Sequence, residues 1–401
     1  MVRWSNGVAV RLGDTRLLLD PLDSDPTIRD VFITHAHYTH SKGFQFPTQK
    51  KYSTKETKEL YEVDTSHKAG NWEQIRVGRR LQVGNLEVEA HDAGHVLGSV
   101  QFEIIDHYEN LVYASHLNFT DTLTSKAAEV APCDTLILEG TYPAASQTLP
   151  SRESVTADIV KWAVGCIEER RVPTFATDPI GVAQELVRVF NTWTQLPVIV
   201  HPRIARINQV YADSGVSLRY VDAGSEEANA LIGDGKCVVL IPRRFDTSRY
   251  AEFRVANVTG SPTASDRAGK VFILSDQADL EQLLRFVKEA RPKTVLTFRG
   301  GCKVLAELIS KRLGMIAQVL SADVQRPKPA PPVLDEEKVG RCADYLLSLI
   351  EVKNLTYEKR EIVGRALEEG FKIEEVEEAL KRLTQKHSLT YSELTEGYSL
   401  P

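Results

Sequence analysis

The sequence predicts an α/β protein of more than one domain, and three features carry that expectation. Residues 1–140 read as many short strands with few helices. From about Pro143 strands and helices alternate, the pattern of a parallel sheet covered by helices. After Pro327, Pro329, Pro331 and Pro332, which mark a stiff linker, three amphipathic helical stretches follow.

The 401 residues exceed one ordinary domain of roughly 150. Apolar residues make 42% and charged residues 26% of the chain, which excludes wholesale disorder. Lys and Arg total 49 against 55 Asp and Glu, a net of −6. That excludes a polybasic coat protein and leaves room for a local basic groove. Five scattered cysteines (Cys133, Cys166, Cys237, Cys302, Cys342) form no Cys-x-x-Cys pair. Neither a disulfide scaffold nor a cysteine-only zinc site is expected, and a reducing, cytoplasmic setting is. No apolar run approaches the roughly 20 residues of a membrane span, so no membrane association is expected.

In order along the chain, Val8–Leu12 and Arg16–Asp20 flank the turn Gly13-Asp14-Thr15 and predict a hairpin. Val31–Thr34 is a β-branched run that stops at histidines. Thr54–Glu62 predicts a helix, and strands are expected at Leu81–Val83, Leu86–Ala90, Ser99–Ile105, Leu111–Ala114 and Thr135–Glu139. Ser151 caps a helix reaching Glu169. Then come strand Val172–Ala176, helix Gly181–Trp193, strand Val198–Val200, helix Ala205–Ala212 and strand Val238–Ile241. Val271–Leu274, Leu280–Ala290, Thr294–Thr297 and Lys303–Leu313 continue as strand, helix, strand, helix. Helices are expected over Asp335–Val352, Tyr357–Glu368 and Ile373–Lys386, with two short strands at the end. Trp72, Trp162 and Trp193 are assigned to the core.

The strongest chemical signal is Thr34-His35-Ala36-His37-Tyr38-Thr39-His40 after an apolar strand. A loop at a strand end can aim alternate side chains at one point, and imidazole is a good zinc ligand. The alternative is a polar surface loop. His67 and His201 follow no ligand spacing and are expected to be ordinary core or surface histidines.

Further segments narrow the choice. His91-Asp92-Ala93-Gly94-His95-Val96-Leu97-Gly98-Ser99, together with Leu18-Leu19-Asp20-Pro21 and the first cluster, resembles the metallo-β-lactamase fold family. Val112–Thr122, Leu136–Tyr142, Leu274–Asp279 and Val295–Gly300 resemble, in order, the later motifs of its β-CASP branch of nucleases. The exonuclease-like members of RNA 3′-end processing and the DNA-ligase-associated group are the most similar. The resemblance covers about Leu17–Ser321. It implies an αββα sandwich over residues 1–142 and 271–322, a β-CASP-like α/β insertion at 143–270, a proline-rich linker at 323–334, and a module outside the resemblance at 335–401. Three helices and a terminal hairpin make that module resemble a winged helix.

The family pattern implies two metal ions. The first-ion positions fall on His35, His37, His95 and, where the family has a bridging aspartate, His116. Four imidazoles make at most one closed, tetrahedral zinc site of structural type. His116 pointing away is an equal alternative. Of the second-ion positions only His40 remains as a ligand, because Thr39 replaces an aspartate and Arg299 a histidine. Guanidinium does not deprotonate, so Arg299 puts a permanent cation there. Gln277 replaces the histidine thought to protonate the leaving group. Asp20 and Glu139 match positions that orient metal-bound histidines; the alternative is carboxylates bonded to backbone amides.

Arg243 and Arg244, with Arg249, Arg254, Arg267, Lys270 and Arg299, are candidate phosphate contacts, against the reading of a solvated basic face. Asp335–Glu396 carries 15 acidic and 10 basic residues, a net of −5, which favours a protein partner over nucleic acid. The expected function is a non-hydrolytic relative of β-CASP nucleases that binds nucleic acid or scaffolds RNA or DNA processing, including DNA repair. A one-zinc phosphodiesterase or exonuclease and an adaptor acting through 335–401 are the alternatives. Family members often dimerise, so a homodimer is an open expectation.

Overall fold

The computed structural model describes residues 2–4, 6–106, 109–141, 149–260, 269–320, 335–353, 357–392 and 397–400. The linker 323–334, Arg267 and Thr395-Glu396 of the terminal hairpin lie outside the described residues.

Two sheets form one layered unit. The first has six strands in the order Val2–Trp4, Val8–Leu12, Thr15–Leu19, Asp30–Phe32, Lys50–Ser53, Trp72–Gln74. The second has seven, in the order Ile316–Val319, Thr294–Phe298, Thr135–Glu139, Asn110–Ala114, Val100–Ile105, Leu86–Asp92, Arg80–Val83. Period-two alternation decides how they pack. Val8, Val10, Leu17 and Leu19 share one core with Val88, Phe102, Ile104 and Tyr113 of the second sheet. The intervening Ala9 and Leu18 turn to the outer face, where Phe44 and Tyr61 cover them. On the far face of the second sheet, helices Leu280–Ala290 and Cys302–Leu313 bury Leu283, Phe286, Val287, Leu305 and Ile309 against Val112, Leu136, Leu138 and Val295. The order of layers is α, β, β, α, as the resemblance implies.

Between Thr135–Glu139 and Thr294–Phe298 the chain builds a third, six-stranded sheet in the order Val221–Asp222, Val198–Val200, Val238–Pro242, Val172–Thr177, Phe253–Thr259, Lys270–Ile273. All its pairings are parallel. Helices Arg152–Glu168, Val182–Trp193 and Pro202–Asp213 bury Ile159, Leu186, Phe190 and Ile204 against it. Ser151 caps the first of these helices by accepting from Ser154 N at 3.2 Å. Residues 335–400 form their own core, with Val339, Leu346, Ile350, Ile362, Val376 and Leu380 packed around three helices and a three-stranded antiparallel sheet.

Several expectations need correction. Tyr357–Glu358 is a strand paired with Gly397–Tyr398, so the helix expected from Tyr357 begins at Lys359. Trp193 ends its helix beyond the buried stripe and is 64% exposed. Trp162 is only partly buried, edge-on to Phe175 and Phe272. Among the described residues no helix is long and apolar enough to cross a membrane. All five cysteines are free.

Candidate metal centre

Parallel strands deliver their C-terminal ends to one edge of the sandwich, and the site is built there. Asp20 follows Thr15–Leu19, and His35 and His37 follow Asp30–Phe32. His40 sits in the short helix Tyr38–Ser41 that His37 opens. Ser115 and His116 follow Asn110–Ala114, Glu139 ends Thr135–Glu139, and Arg299 follows Thr294–Phe298. His95 lies in the turn after Leu86–Asp92. That turn needs glycines: Gly94 and Gly98 have φ of +70° and +73°. A Cβ on Gly94 would collide with Asn118 O and lie 2.5 Å from Ala128 N. Gly94→Ala is therefore expected to cost more than ~2 kcal/mol and to lower the melting temperature. A melt unchanged from wild type would show that the turn is not constrained in this way.

His35, His37, His95 and His116 converge, each offering a ring nitrogen within 4.8 Å of the others'. The far nitrogen of three of the rings is hydrogen-bonded to oxygen, and that of His116 faces a carboxylate at longer range. His95 Nδ1 donates to Asp276 O at 2.9 Å, and His37 Nε2 to Ile180 O at 3.3 Å. Thr34 Oγ1 gives its own proton to Asp20 and so accepts from His35 Nδ1 at 2.9 Å. His116 Nε2 lies 3.8 Å from Glu139 Oε1. A carbonyl can only accept, so the protons of His37 and His95 are on the outward nitrogens and the lone pairs face inward.

The inward side then has a deficit. His37 Nδ1 and His95 Nε2 are 3.0 Å apart, and His95 Nε2 and His116 Nδ1 are 3.3 Å apart. His35 Nε2 is buried without a partner. Facing lone pairs repel unless a cation lies against them, and a buried acceptor left unpaired costs about 1–3 kcal/mol. Four nitrogens about 2.0–2.1 Å from a zinc ion in a tetrahedron are about 3.3–3.4 Å apart, which the spacings of 3.0 and 3.3 Å at His95 approach. Burial also keeps the rings neutral. It pushes His37 and His95 down to about 4, and His35 and His116 well below the usual imidazole range. Neutral rings with oriented outer nitrogens are what a metal requires. The residues present fit one metal ion with four nitrogen donors.

Beside it lies a second pocket of different character. The Asp20 carboxylate accepts from Thr34 N (2.8 Å), Thr34 Oγ1 (2.6 Å), His40 Nδ1 (2.9 Å) and the Tyr113 hydroxyl (3.1 Å). It therefore orients His40 directly and His35 only through Thr34. Glu139 accepts from Ser115 Oγ at 2.8 Å and lies 3.9 Å from His40 Nε2. Arg299 fills the remaining space. Its Nη1 is 3.2 and 3.3 Å from the two ring nitrogens of His40, and its Nη2 donates to Asp20 O (3.1 Å) and Thr39 O (3.3 Å).

The other residues named from sequence are placed as follows. Thr39 is exposed beside Arg299. Gln277 lines a polar cavity of about 260 Å³ with Asn118, Ser151 and Gln282. Arg243 is tied to Asp178 at 2.8 Å, while Arg244 is exposed. His201 is buried and caps a helix by accepting from Arg203 N; His67 is exposed. Sequence reading missed Asp276, Ile180, Ser115 and Tyr113 as site residues. Burial pushes the Asp276 carboxyl up to about 6. Asp276 and Ile180 reach the cluster across 181 and 143 residues, a distance over which one sequence carries no spacing signal.

No family model matches the chain. It is 28% identical over 248 residues, 59% of its length, to a probable DNA ligase of Opitutus terrae, covering 24% of that protein. It is 26% identical over 195 residues to an RNase J-like protein of Methanocaldococcus jannaschii, covering 43% of this chain and 46% of that one. The chain thus spans less than half the length of either relative. A crystal structure of an Enterococcus faecalis V583 protein of unknown function superposes with a TM-score of 0.55 over 74% of this chain and 92% of that one, at 14% identity, which speaks to the fold alone. The layered fold, the motifs in order and these relatives all support the β-CASP nuclease-like branch of the metallo-β-lactamase fold family, whose members depend on metal, as the family of this chain.

Proposed function

We propose that this chain is a β-CASP nuclease-like protein that does not hydrolyse phosphodiesters, holds a single zinc ion in a closed four-histidine site, and serves RNA or DNA processing as a nucleic-acid-binding or scaffold subunit. The observation that carries this reading is the pairing of the two pockets. Four imidazoles converge in one, and a guanidinium fills the other. Two-metal hydrolysis needs an activated water and a clamp on both the attacking and the leaving oxygen. A zinc ion with four protein ligands has no position for that water, and Arg299 excludes a second ion. The zinc would then supply structural cross-linking of three strand ends.

In this reading residues 1–142 and 271–322 form the sandwich domain, 143–270 the β-CASP-like insertion, and 335–401 a winged-helix-like module. The module's partner is proposed to be a protein. Its third helix, Ile373–Gln385, carries Glu374, Glu375, Glu377 and Glu378. The basic Arg382 on that helix is already held by Glu336 (2.6 and 3.0 Å) and Glu378 (2.9 Å).

The test is incubation of purified chain with end-labelled single-stranded RNA and DNA in zinc or manganese, read beside binding to the same oligonucleotides. Retention without cleavage is the expected result. Cleavage that disappears in His35→Ala would overturn the reading in favour of a one-zinc phosphodiesterase.

A further inference from the structure

The second pocket holds more than an altered ligand. Asp20 and Arg299 both sit in the left-handed region, with φ of +42° and +51°, a conformation that non-glycine residues keep only when surroundings hold it. They meet each other: Arg299 Nη2 donates to Asp20 O at 3.1 Å. His40 Nδ1 gives its proton to the Asp20 carboxylate, so His40 Nε2 presents its lone pair to Arg299 Nη1 at 3.3 Å. Arg299 Nη1 is also 3.9 Å from Glu139 Oε1, and the guanidinium carbon lies 5.3 Å from the centre of the Trp4 ring. The side chain is 15% exposed, and both terminal nitrogens are spent on internal acceptors. An arginine gripping phosphate would turn those donors outward.

We propose that the Arg299 guanidinium is a resident cation: it occupies the place of the second ion, offsets the buried carboxylates of Asp20 and Glu139, and takes the His40 Nε2 lone pair, so that divalent ions are excluded by the protein's own side chain. This corrects the expectation that Arg299 contacts nucleic acid. It rests on the one-ion reading above, but its test does not use nuclease activity. Donors for an ion remain beside the guanidinium: His40 Nε2 and Glu139 Oε2 lie 3.9 Å apart, and the Asp20 carboxylate adjoins them.

The experiment compares wild type, Arg299→Ala, Arg299→Gln and Arg299→Ala with Glu139→Gln, each loaded with one equivalent of zinc. Melting is measured without free metal and during titration with manganese or further zinc. Removing one partner of a buried charge cluster is strongly destabilising, so Arg299→Ala and Arg299→Gln should each melt about 10 °C lower. Both should then recover and bind one further equivalent, which wild type does not. Adding Glu139→Gln should restore part of the loss without metal. Melting within about 2 °C of wild type would overturn the proposal. So would a loss with neither a further equivalent nor recovery through Glu139→Gln, because Arg299 would then be packing alone. Should Arg299→Ala prove insoluble, Arg299→Gln is read by the same criteria.

Discussion

Chains carrying Thr39→Asp, His116→Asp, Gln277→His and Arg299→His together are expected to gain metal-dependent cleavage of single-stranded RNA or DNA that the parent lacks. The four changes act on different parts of one reaction. His116→Asp opens the closed four-nitrogen site and introduces a negative oxygen able to bridge two ions. Arg299→His removes the guanidinium from within 3.3 Å of His40 Nε2. Thr39→Asp adds a carboxylate on the short helix that carries His40. Gln277→His supplies a group that can be protonated near neutral pH, which a carboxamide cannot be. Positioned acid–base groups each contribute about 10²–10⁴-fold, and a second ion contributes several kcal/mol of charge stabilisation. A gain of at least ~10³-fold over parent is therefore expected. Single replacements should gain almost nothing, because groups that act as a unit are far from additive. A fourfold variant that takes up two ions and still cleaves nothing would mean that the surrounding scaffold, and not these positions, prevents the reaction.

His35→Ala is the second large effect. It removes the one ring whose inward nitrogen is buried without a partner and breaks the link through Thr34 to Asp20. Bound metal at about 1,000 times its dissociation constant stabilises a fold by about 4 kcal/mol. That amounts to roughly 10 °C in melting temperature for a domain of this size. Chelator should lower wild-type melting by about that amount and leave His35→Ala almost unchanged, so the difference between the two proteins shrinks when metal is withheld. An equal response of both proteins to chelator would place the ion elsewhere.

Much of this site was legible because the ligands are chemically distinctive and the strands that carry them are strongly apolar. Val31-Phe32-Ile33 is fully buried and runs through Thr34 to His35, so a β-branched run followed by histidines located the strand and the histidines that converge beyond it. What escaped was set by tertiary context. Lys50–Ser53, a Lys-Lys-Tyr-Ser segment with no apolar pattern, becomes a strand because it pairs with both Asp30–Phe32 and Trp72–Gln74. Its Lys51 is buried, with Nζ donating to Gly70 O at 2.9 Å. Val2–Trp4 forms only against Val8–Leu12. Phe253–Thr259, which carries the candidate phosphate contact Arg254, is an interior strand between Val172–Thr177 and Lys270–Ile273. Arg299 shows the same limit at the site. Its type predicts a cation but not its direction, which a left-handed backbone and acceptors 259–279 residues away decide.

The most direct test is the metal content of the purified, zinc-loaded wild-type chain, by elemental analysis after removal of loosely bound ions. One zinc per chain, lost in His35→Ala, is the predicted result. Two ions per chain would contradict it, because Arg299 could not then be standing in the second pocket.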